Sequence, residues 1–314
     1  MIGLDDIRAA RDRIADGIRR TPVIRADQLK TALPGGVEPM LKLELLQVTG
    51  SFKARGATNR LRTTPREQLA GGIVAASGGN HGLATARAGH LAGVKTTIFL
   101  PENATPAKIA KLREWGADTV IVGTAWQEAN EAALAFCERT GAAYFHPFAD
   151  PLVVAGQGTV GLEILEQIAD VDTVLVAIGG GGLISGVSTA IKSIAPHVRI
   201  IGIAAAGSPT LLRSLEAGRN IDIGRATTSV ATMSCSHTDP RIFDIVRKNV
   251  DGIVLVEDAE MAAAAKWLWF EMGLAADLSG AAAIAALQQG RVAVKPGEKI
   301  CAIVCGAGPD ALTS

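Results

Sequence analysis

An α/β fold, with parallel-rich sheets flanked by helices, is what the sequence predicts. Three observations predict it. Short apolar runs alternate along the chain with longer segments of helical period, the pattern of parallel strands covered by helices on both faces. Of the 314 residues 48% are apolar but only 4% are aromatic, so the core is filled mainly by Ala, Val, Ile and Leu. Glycine-rich turns join two of the apolar runs to the helical segments that follow them.

The elements follow in order. An opening helix carries Leu4, Ile7, Ala10, Ile14 and Ile18 on one face and ends at Thr21-Pro22. Strands are expected at 40–46, 72–76, 95–100, 118–122, 142–145, 172–178, 199–204, 252–256 and 299–304. Helical patterns cover 52–63, 80–93, 105–115, 125–140, 155–169, 183–195, 258–272 and 279–289. No Pro/Ser/Gly-rich linker divides the chain, and no repeat or low-complexity tract is found. The strand–helix units of 72–146 can form a compact subdomain inserted in a larger one. The sequence stops soon after the last strand, at Ser314, which leaves no room for an appended regulatory domain.

Several function classes are excluded. Thirty-one basic residues balance 31 acidic ones, and no Lys/Arg run offers a nucleic-acid footprint. The N-terminus lacks the apolar stretch of a signal peptide. The uncharged window from Thr173 to Ile191 has the length of a membrane span, but four glycines interrupt it, so it reads as strand, loop and helix. Cys137, Cys235, Cys301 and Cys305 form no CxxC pair or zinc spacing, which places the chain in a reduced, cytoplasmic compartment.

Two loops are suited to anions. Gly179 to Leu183 (GGGGL) follows an apolar strand and opens a helix, so several backbone N–H groups converge beside the positive end of a helix dipole. A dinucleotide fingerprint is absent: its frames require glycine where Ile184 and Ser185 stand, and the strand 199–204 lacks an acidic residue for a ribose. The loop reads as a monophosphate cradle. The second loop, Ser77 to Gly82 (SGGNHG), can N-cap its helix through Ser77 and hold a carboxylate on the amides of 78–81. Lys53, at the predicted start of helix 52–63, is a cation where the helix dipole disfavours one. That field helps deprotonate the amine, and a neutral lysine is a nucleophile able to form a Schiff base.

The run SFKARGA, the loop SGGNHG, the segment AGQGT (Ala155 to Thr159), the GGGGL loop and the pair Cys305-Gly306 together resemble the fold-type II pyridoxal-phosphate enzymes. Within them the similarity is to the threonine/serine dehydratase and serine racemase branch. The resemblance implies a two-domain, tryptophan-synthase-β-like fold. Its large cofactor-binding domain would be residues 1–65 and 150–314, and its small substrate-loop domain residues 66–149. It further implies that Lys53 holds pyridoxal 5′-phosphate as a Schiff base, with Phe52 against the ring and Asn80 on the 3′-oxygen. The amides of Gly179, Gly180, Gly181, Gly182 and Leu183 would hold the phosphate, and Cys305 would face the pyridine nitrogen. Ser77, Gly78, Gly79, Asn80 and His81 would take the carboxylate of an amino-acid substrate.

The implied reaction is dehydration and deamination of a β-hydroxy amino acid such as L-threonine or L-serine to a 2-oxo acid and ammonia, by a cytoplasmic homodimer. Gly78 stands where serine racemase carries a second acid/base, so elimination without efficient racemisation is expected. A racemase remains the same-fold alternative. The cysteine-synthase pattern, SVKDR with TSGNTG, fits less well. Some positions depart from the branch. Ala204-Ala205 replaces a Glu-Pro and Thr210 a second metal ligand, so no metal is expected there. Asp277-Leu278, Gly306-Ala307-Gly308 and the stretch Ser229 to Asp239 also differ. These changes point to a less common substrate, such as 3-hydroxyaspartate, phenylserine or a hydroxyectoine-derived compound, or to reduced activity. His81 reads as shaping its turn and His237 as a solvated loop residue. Asp150, Asp239 and Glu163 read as surface or capping charges, and the four tryptophans as packing residues.

Overall fold

The computed structural model describes residues 2–310 apart from Asn103 and Ala125. Its first helix, α1 (Leu4–Ile14), buries Ile7, Ala10 and Ile14 on one stripe, as the spacing predicts. It stops short of Ile18, because the chain turns at Gly17, whose amide donates to the carbonyl of Ile14. Strand β1 (Val23–Arg25), not predicted, lies antiparallel to β2 (Met40–Lys42). The expected strand 40–46 ends at Lys42. Residues Glu44–Leu46 form a 3₁₀ turn that carries the Glu44 side chain into the interior, where Arg55 meets it.

Next come α2 (Lys53–Thr63), β3 (Ile73–Ala76), α3 (Asn80–Ala92), β4 (Thr96–Leu100), α4 (Pro106–Glu114), β5 (Asp118–Ile121), α5 (Trp126–Thr140) and β6 (Ala143–Tyr144). These strands form an all-parallel sheet in the order β5-β4-β3-β6. The remainder comprises α6 (Pro151–Gln167), β7 (Thr173–Ile178), α7 (Gly182–Ile194), β8 (Arg199–Ala205), α8 (Thr210–Glu216), α9 (Pro240–Asn249), β9 (Gly252–Val256), α10 (Asp258–Met272), α11 (Leu278–Gln288) and β10 (Ile300–Ile303). The larger sheet has the order β1-β2-β10-β7-β8-β9 and is parallel except at β1. Helix α6 begins at Pro151, earlier than expected, because Asp150 caps it through the amide of Leu152. The unpredicted α9 has the same signal: Asp239 caps it and Pro240 is its first residue.

Both β3 and β7 are internal strands, and both anion loops leave their C-terminal ends. At β7 the order switches, with β8 on one side and β10 on the other. Ligands of open parallel sheets bind at such switch points, beyond the strand ends. Helix α2 is brought close to α6 by glycines. A Cβ on Gly156 would lie 2.7 Å from the Arg55 carbonyl oxygen, and one on Gly56 2.4 Å from Gln157 Nε2. This is the physical content of the AGQGT segment: it lets the helix that starts at Lys53 lie directly on α6.

Candidate active site

Lys53 is the first residue of α2, with Phe52 at the cap position and buried. The amine lies 5.1 Å from the centre of the Phe52 ring and donates to the carbonyl of Pro147 at 2.7 Å. Burial lowers its pKa to about 8, against an opposing pull from Cys305 and Cys235. Two histidines near it are held neutral. Burial, then the Lys53 charge, lowers His81 to about 3 and His146 to about 4.

The His146–Phe148 run links the amine to the glycine turn. His146 Nδ1 accepts from the amides of Phe148 and Ala149 at 3.2 and 2.9 Å, which fixes the turn bearing the Pro147 carbonyl. Phe148 in turn packs against the tetraglycine loop. A Cβ on Gly180 would come within 2.3 Å of its ring, and one on Gly182 within 2.9 Å of its side chain. Gly181 has φ +92°, and a Cβ on Gly179 would lie 2.6 Å from the Thr232 carbonyl oxygen. The glycines are therefore required by what packs behind and around the turn, which adds to the expected reason, ligand access. The first-turn amides of α7, including that of Leu183, have no acceptor within the helix and sit at its positive end.

The second loop departs in detail from expectation. Ser77 does not cap α3; Gly79 is the cap residue, and Ser77 Oγ accepts from the Gly79 amide at 3.3 Å. The loop is a short hydroxyl turn with α3 opening at Asn80. A Cβ on Gly78 would meet Leu100 at 2.9 Å, whereas one on Gly79 meets only a methyl of Thr232, at 3.9 Å. His81 is buried inside α3 with Nε2 on the carbonyl of Phe145 at 2.8 Å, so its ring ties α3 to the segment after β6 rather than shaping its own turn. Asn80 Nδ2 donates to Asp277 Oδ2 at 2.9 Å. Cys305 is buried with its sulfur 3.8 Å from Ser279 Oγ, and burial pushes its thiol pKa well up, so it stays protonated. The structure thus gathers Phe52, Lys53, Asn80, the glycine turn and Cys305 about the C-terminal strand ends.

The family described as pyridoxal-phosphate dependent enzyme matches residues 14–306. The chain belongs to the pyridoxal-phosphate dependent enzymes. It is 41% identical over 300 residues to the L-threonine ammonia-lyase of Geobacter sulfurreducens, covering 96% of this chain and 74% of that protein. It is 35% identical over 310 residues to the phenylserine dehydratase of Ralstonia pickettii, covering 99% and 94%. The solved structure of a threonine deaminase from T.th. superposes with a TM-score of 0.90 at 35% identity, covering 98% of each chain.

The residues present fit this family's cofactor. Ser185 Oγ, in the first turn of α7, is buried without a hydrogen-bond partner among the described residues, as a hydroxyl beside a phosphate would be. The Lys53 amine has a depressed pKa and a neutral acceptor rather than a carboxylate, so it is free to condense with an aldehyde.

Glu163 corrects an expectation. It is buried, and its carboxylate bonds Lys42 and Arg55. Asp150 and Asp239 do cap helices, although Asp150 also pairs with Arg60 at 2.6 Å. Of the tryptophans read as packing residues Trp267 is buried, whereas Trp126 and Trp269 are exposed on their helices, which corrects that expectation. Thr210 Oγ1 and Ser208 Oγ both donate to the carbonyl of Cys235, so the threonine that replaces a relative's metal ligand holds the 229–239 segment. Sequence reasoning missed His146–Phe148 and the Asn80–Asp277 bond. His-Pro-Phe directly after a strand was the available signal for the first.

A pH dependence follows. An ordinary lysine is less than about 0.1% unprotonated at pH 7, whereas a pKa near 8 leaves about a tenth as free amine. The rate at which the apoprotein takes up pyridoxal phosphate, followed by visible absorption, should climb through pH 7–8 and flatten above about 8.5. A rate still climbing tenfold per unit at pH 9.5 would show the amine to be an ordinary, solvated one.

Proposed function

We propose that the chain is an ammonia-lyase that converts a β-hydroxy amino acid, L-threonine or L-serine, to a 2-oxo acid and ammonia. The observation that carries this reading is the amine of Lys53. It is half-buried and depressed in pKa, and it sits beside the turn packed on the glycine loop. The relatives' activities support the reaction class. For threonine the atoms balance without a co-reactant: the β-hydroxyl leaves as water, water returns, and 2-oxobutanoate and ammonium are released.

When bound, pyridoxal phosphate supplies an electron sink for the bond to the Cα proton. The chain's own residues do the rest. The amides of 179–183 would hold the phosphate end. Ser77 and the amides of 78–81 take the substrate carboxylate, orienting Cα toward Lys53. The free amine Nζ removes the Cα proton as general base. Phe52 would pack on one ring face, and Asn80 would bind the 3′-oxygen. Cys305, a neutral thiol, would lie toward the ring nitrogen and would not protonate it. With Gly78 offering no side chain, the opposite face of Cα has no proton donor there, so racemisation is slow. Residues 66–149 serve as a small substrate-loop domain against a large cofactor-binding one, 1–65 and 150–314.

The chain is further proposed to be a cytoplasmic homodimer with small-molecule partners. The four cysteines are free thiols, and no helix among the described residues is long and apolar enough to cross a membrane. A panel of L-threonine, L-serine, D-serine, 3-hydroxyaspartate and phenylserine, with 2-oxo acid and ammonia both measured, tests the reading. L-threonine or L-serine should give the highest kcat/KM, with product enantiomer formation below a few per cent of turnover. Faster conversion of one serine enantiomer into the other than ammonia release overturns it in favour of a racemase.

A further inference from the structure

We propose that Asp277 is a positioning residue for the cofactor. Its carboxylate fixes the end of the Asn80 amide that faces it, and so fixes what Asn80 presents to the ring. The inference rests on the cofactor placement proposed above.

The geometry assigns each oxygen of this half-buried carboxylate a separate task. Oδ1 caps α11, accepting from the Gly280 amide at 2.6 Å and the Ser279 hydroxyl at 2.7 Å. Oδ2 is left for Asn80 Nδ2, at 2.9 Å and 197 residues away in sequence. The Asp277 backbone is clamped as well. Its amide donates to the Gly306 carbonyl at 3.0 Å, and its neighbour Ala276 bridges Ala307. Gly306 has no room for a side chain: a Cβ there would lie 2.4 Å from Asp277 Oδ2 and 2.9 Å from Asn80 Nδ2. The three groups are therefore packed against each other with no slack.

An ionised carboxylate only accepts, whereas an amide side chain has a donor end and an acceptor end. Burial raises the Asp277 pKa, and the donors from Ser279, Asn80 and Gly280 pull against that rise and match the ionised form. Asn80 must therefore turn Nδ2 toward Asp277, which leaves its second N–H and its Oδ1 in one defined orientation. An Asn without such a partner could exchange its two ends. The same carboxylate orients a second group. Ser279 spends its proton on Asp277, so it offers the Cys305 thiol lone pairs, and the sulfur 3.8 Å away can donate to them. One side chain thus sets hydrogen-bond direction on the Asn80 side of the pocket and on the Cys305 side. It also joins the loop after β3 to the loop after β10, across the two sheets.

A helix cap alone would account for an oxygen-bearing side chain at 277, and the test separates the two roles. Asp277→Ser keeps an oxygen for the Gly280 amide but is too short to reach Asn80. Compared as apoproteins, Asp277→Ser and wild type should melt at the same temperature. The variant should bind pyridoxal phosphate about tenfold more weakly, the loss expected for one charge-assisted hydrogen bond. Its visible band should shift in position or in the pH at which it titrates. In an Asn80→Ala background, Asp277→Ser should have little further effect on cofactor affinity, because the two act through one contact. Wild-type affinity and spectrum in Asp277→Ser would overturn the proposal, and so would losses that add fully in the double variant. A wild-type protein that forms no visible band at all would instead overturn the cofactor placement itself.

Discussion

Lys53→Ala will remove the visible absorption of the holoenzyme and lower turnover by at least about 10²–10⁴-fold, the range for loss of a positioned general base, with loss of the covalent anchor added. The prediction is specific because the fold has little reason to suffer. Position 53 opens α2, where alanine is a better helix former and a cation is disfavoured by the dipole. The amine donates to a neutral carbonyl, Pro147 O, and among the described residues no carboxylate pairs with it. Linkage gives the sign. The native pKa, about 8, lies below the unfolded one, so the amine is a partly desolvated charge below pH 8 and its cost is relieved as pH rises from 8 toward 10.5. At pH 7 the alanine apoprotein should therefore melt no lower than the wild-type apoprotein. Retained turnover, or a large fall in melting temperature with turnover lost only in proportion, would remove Lys53 from the chemistry.

Local signals made most of this architecture legible, and long-range ones set its limits. The apolar runs gave nearly every internal parallel strand, because strands covered on both faces are apolar throughout. Strand β1, three residues at the edge, carries too little pattern to be seen. Helix α9 could have been read, since Asp239-Pro240 is a cap followed by a first-turn proline; its irregular upstream segment obscured it. The glycine loop and Lys53 were visible because their chemistry is packed into consecutive residues. Asn80–Asp277 was not, since the two positions are far apart and neither spacing nor composition pairs them. Glu163 was misread for a related reason. On a helix it resembles any exposed glutamate, and its burial becomes visible only when α2 is laid against α6.

That buried glutamate belongs to the feature with the largest expected effect on stability. Arg55, two residues after Lys53, is fully buried and forks onto both Glu44, at 2.8 Å from Nε and Nη2, and Glu163, at 2.6 and 2.9 Å. Lys42, also fully buried, donates to Glu163 at 2.5 Å, to the Thr21 carbonyl at 2.8 Å and to Gln167 at 2.8 Å. Two cations and two anions thus cancel. Burial opposes the charge on Arg55, but Glu44 and then Glu163 hold it in the charged form; burial likewise opposes Glu44, which Arg55 keeps ionised. Arg55→Met leaves Lys42 facing two carboxylates, one uncompensated charge in the interior. Breaking such a network from one side costs about 3–5 kcal/mol. At roughly 2–4 °C per kcal/mol for a chain of this order of size, the melting temperature should fall by about 6–20 °C. Adding Glu44→Gln restores neutrality while keeping an acceptor for Thr21 Oγ1 and leaving the Lys42–Glu163 pair intact. The double variant should therefore recover much of the loss. Calorimetry of the two proteins decides the cause. If Arg55→Met and the double variant melt together, the loss comes from shape rather than charge. If the double variant is the more stable, the start of α2, and with it the Lys53 amine, is held in place by balanced buried charge.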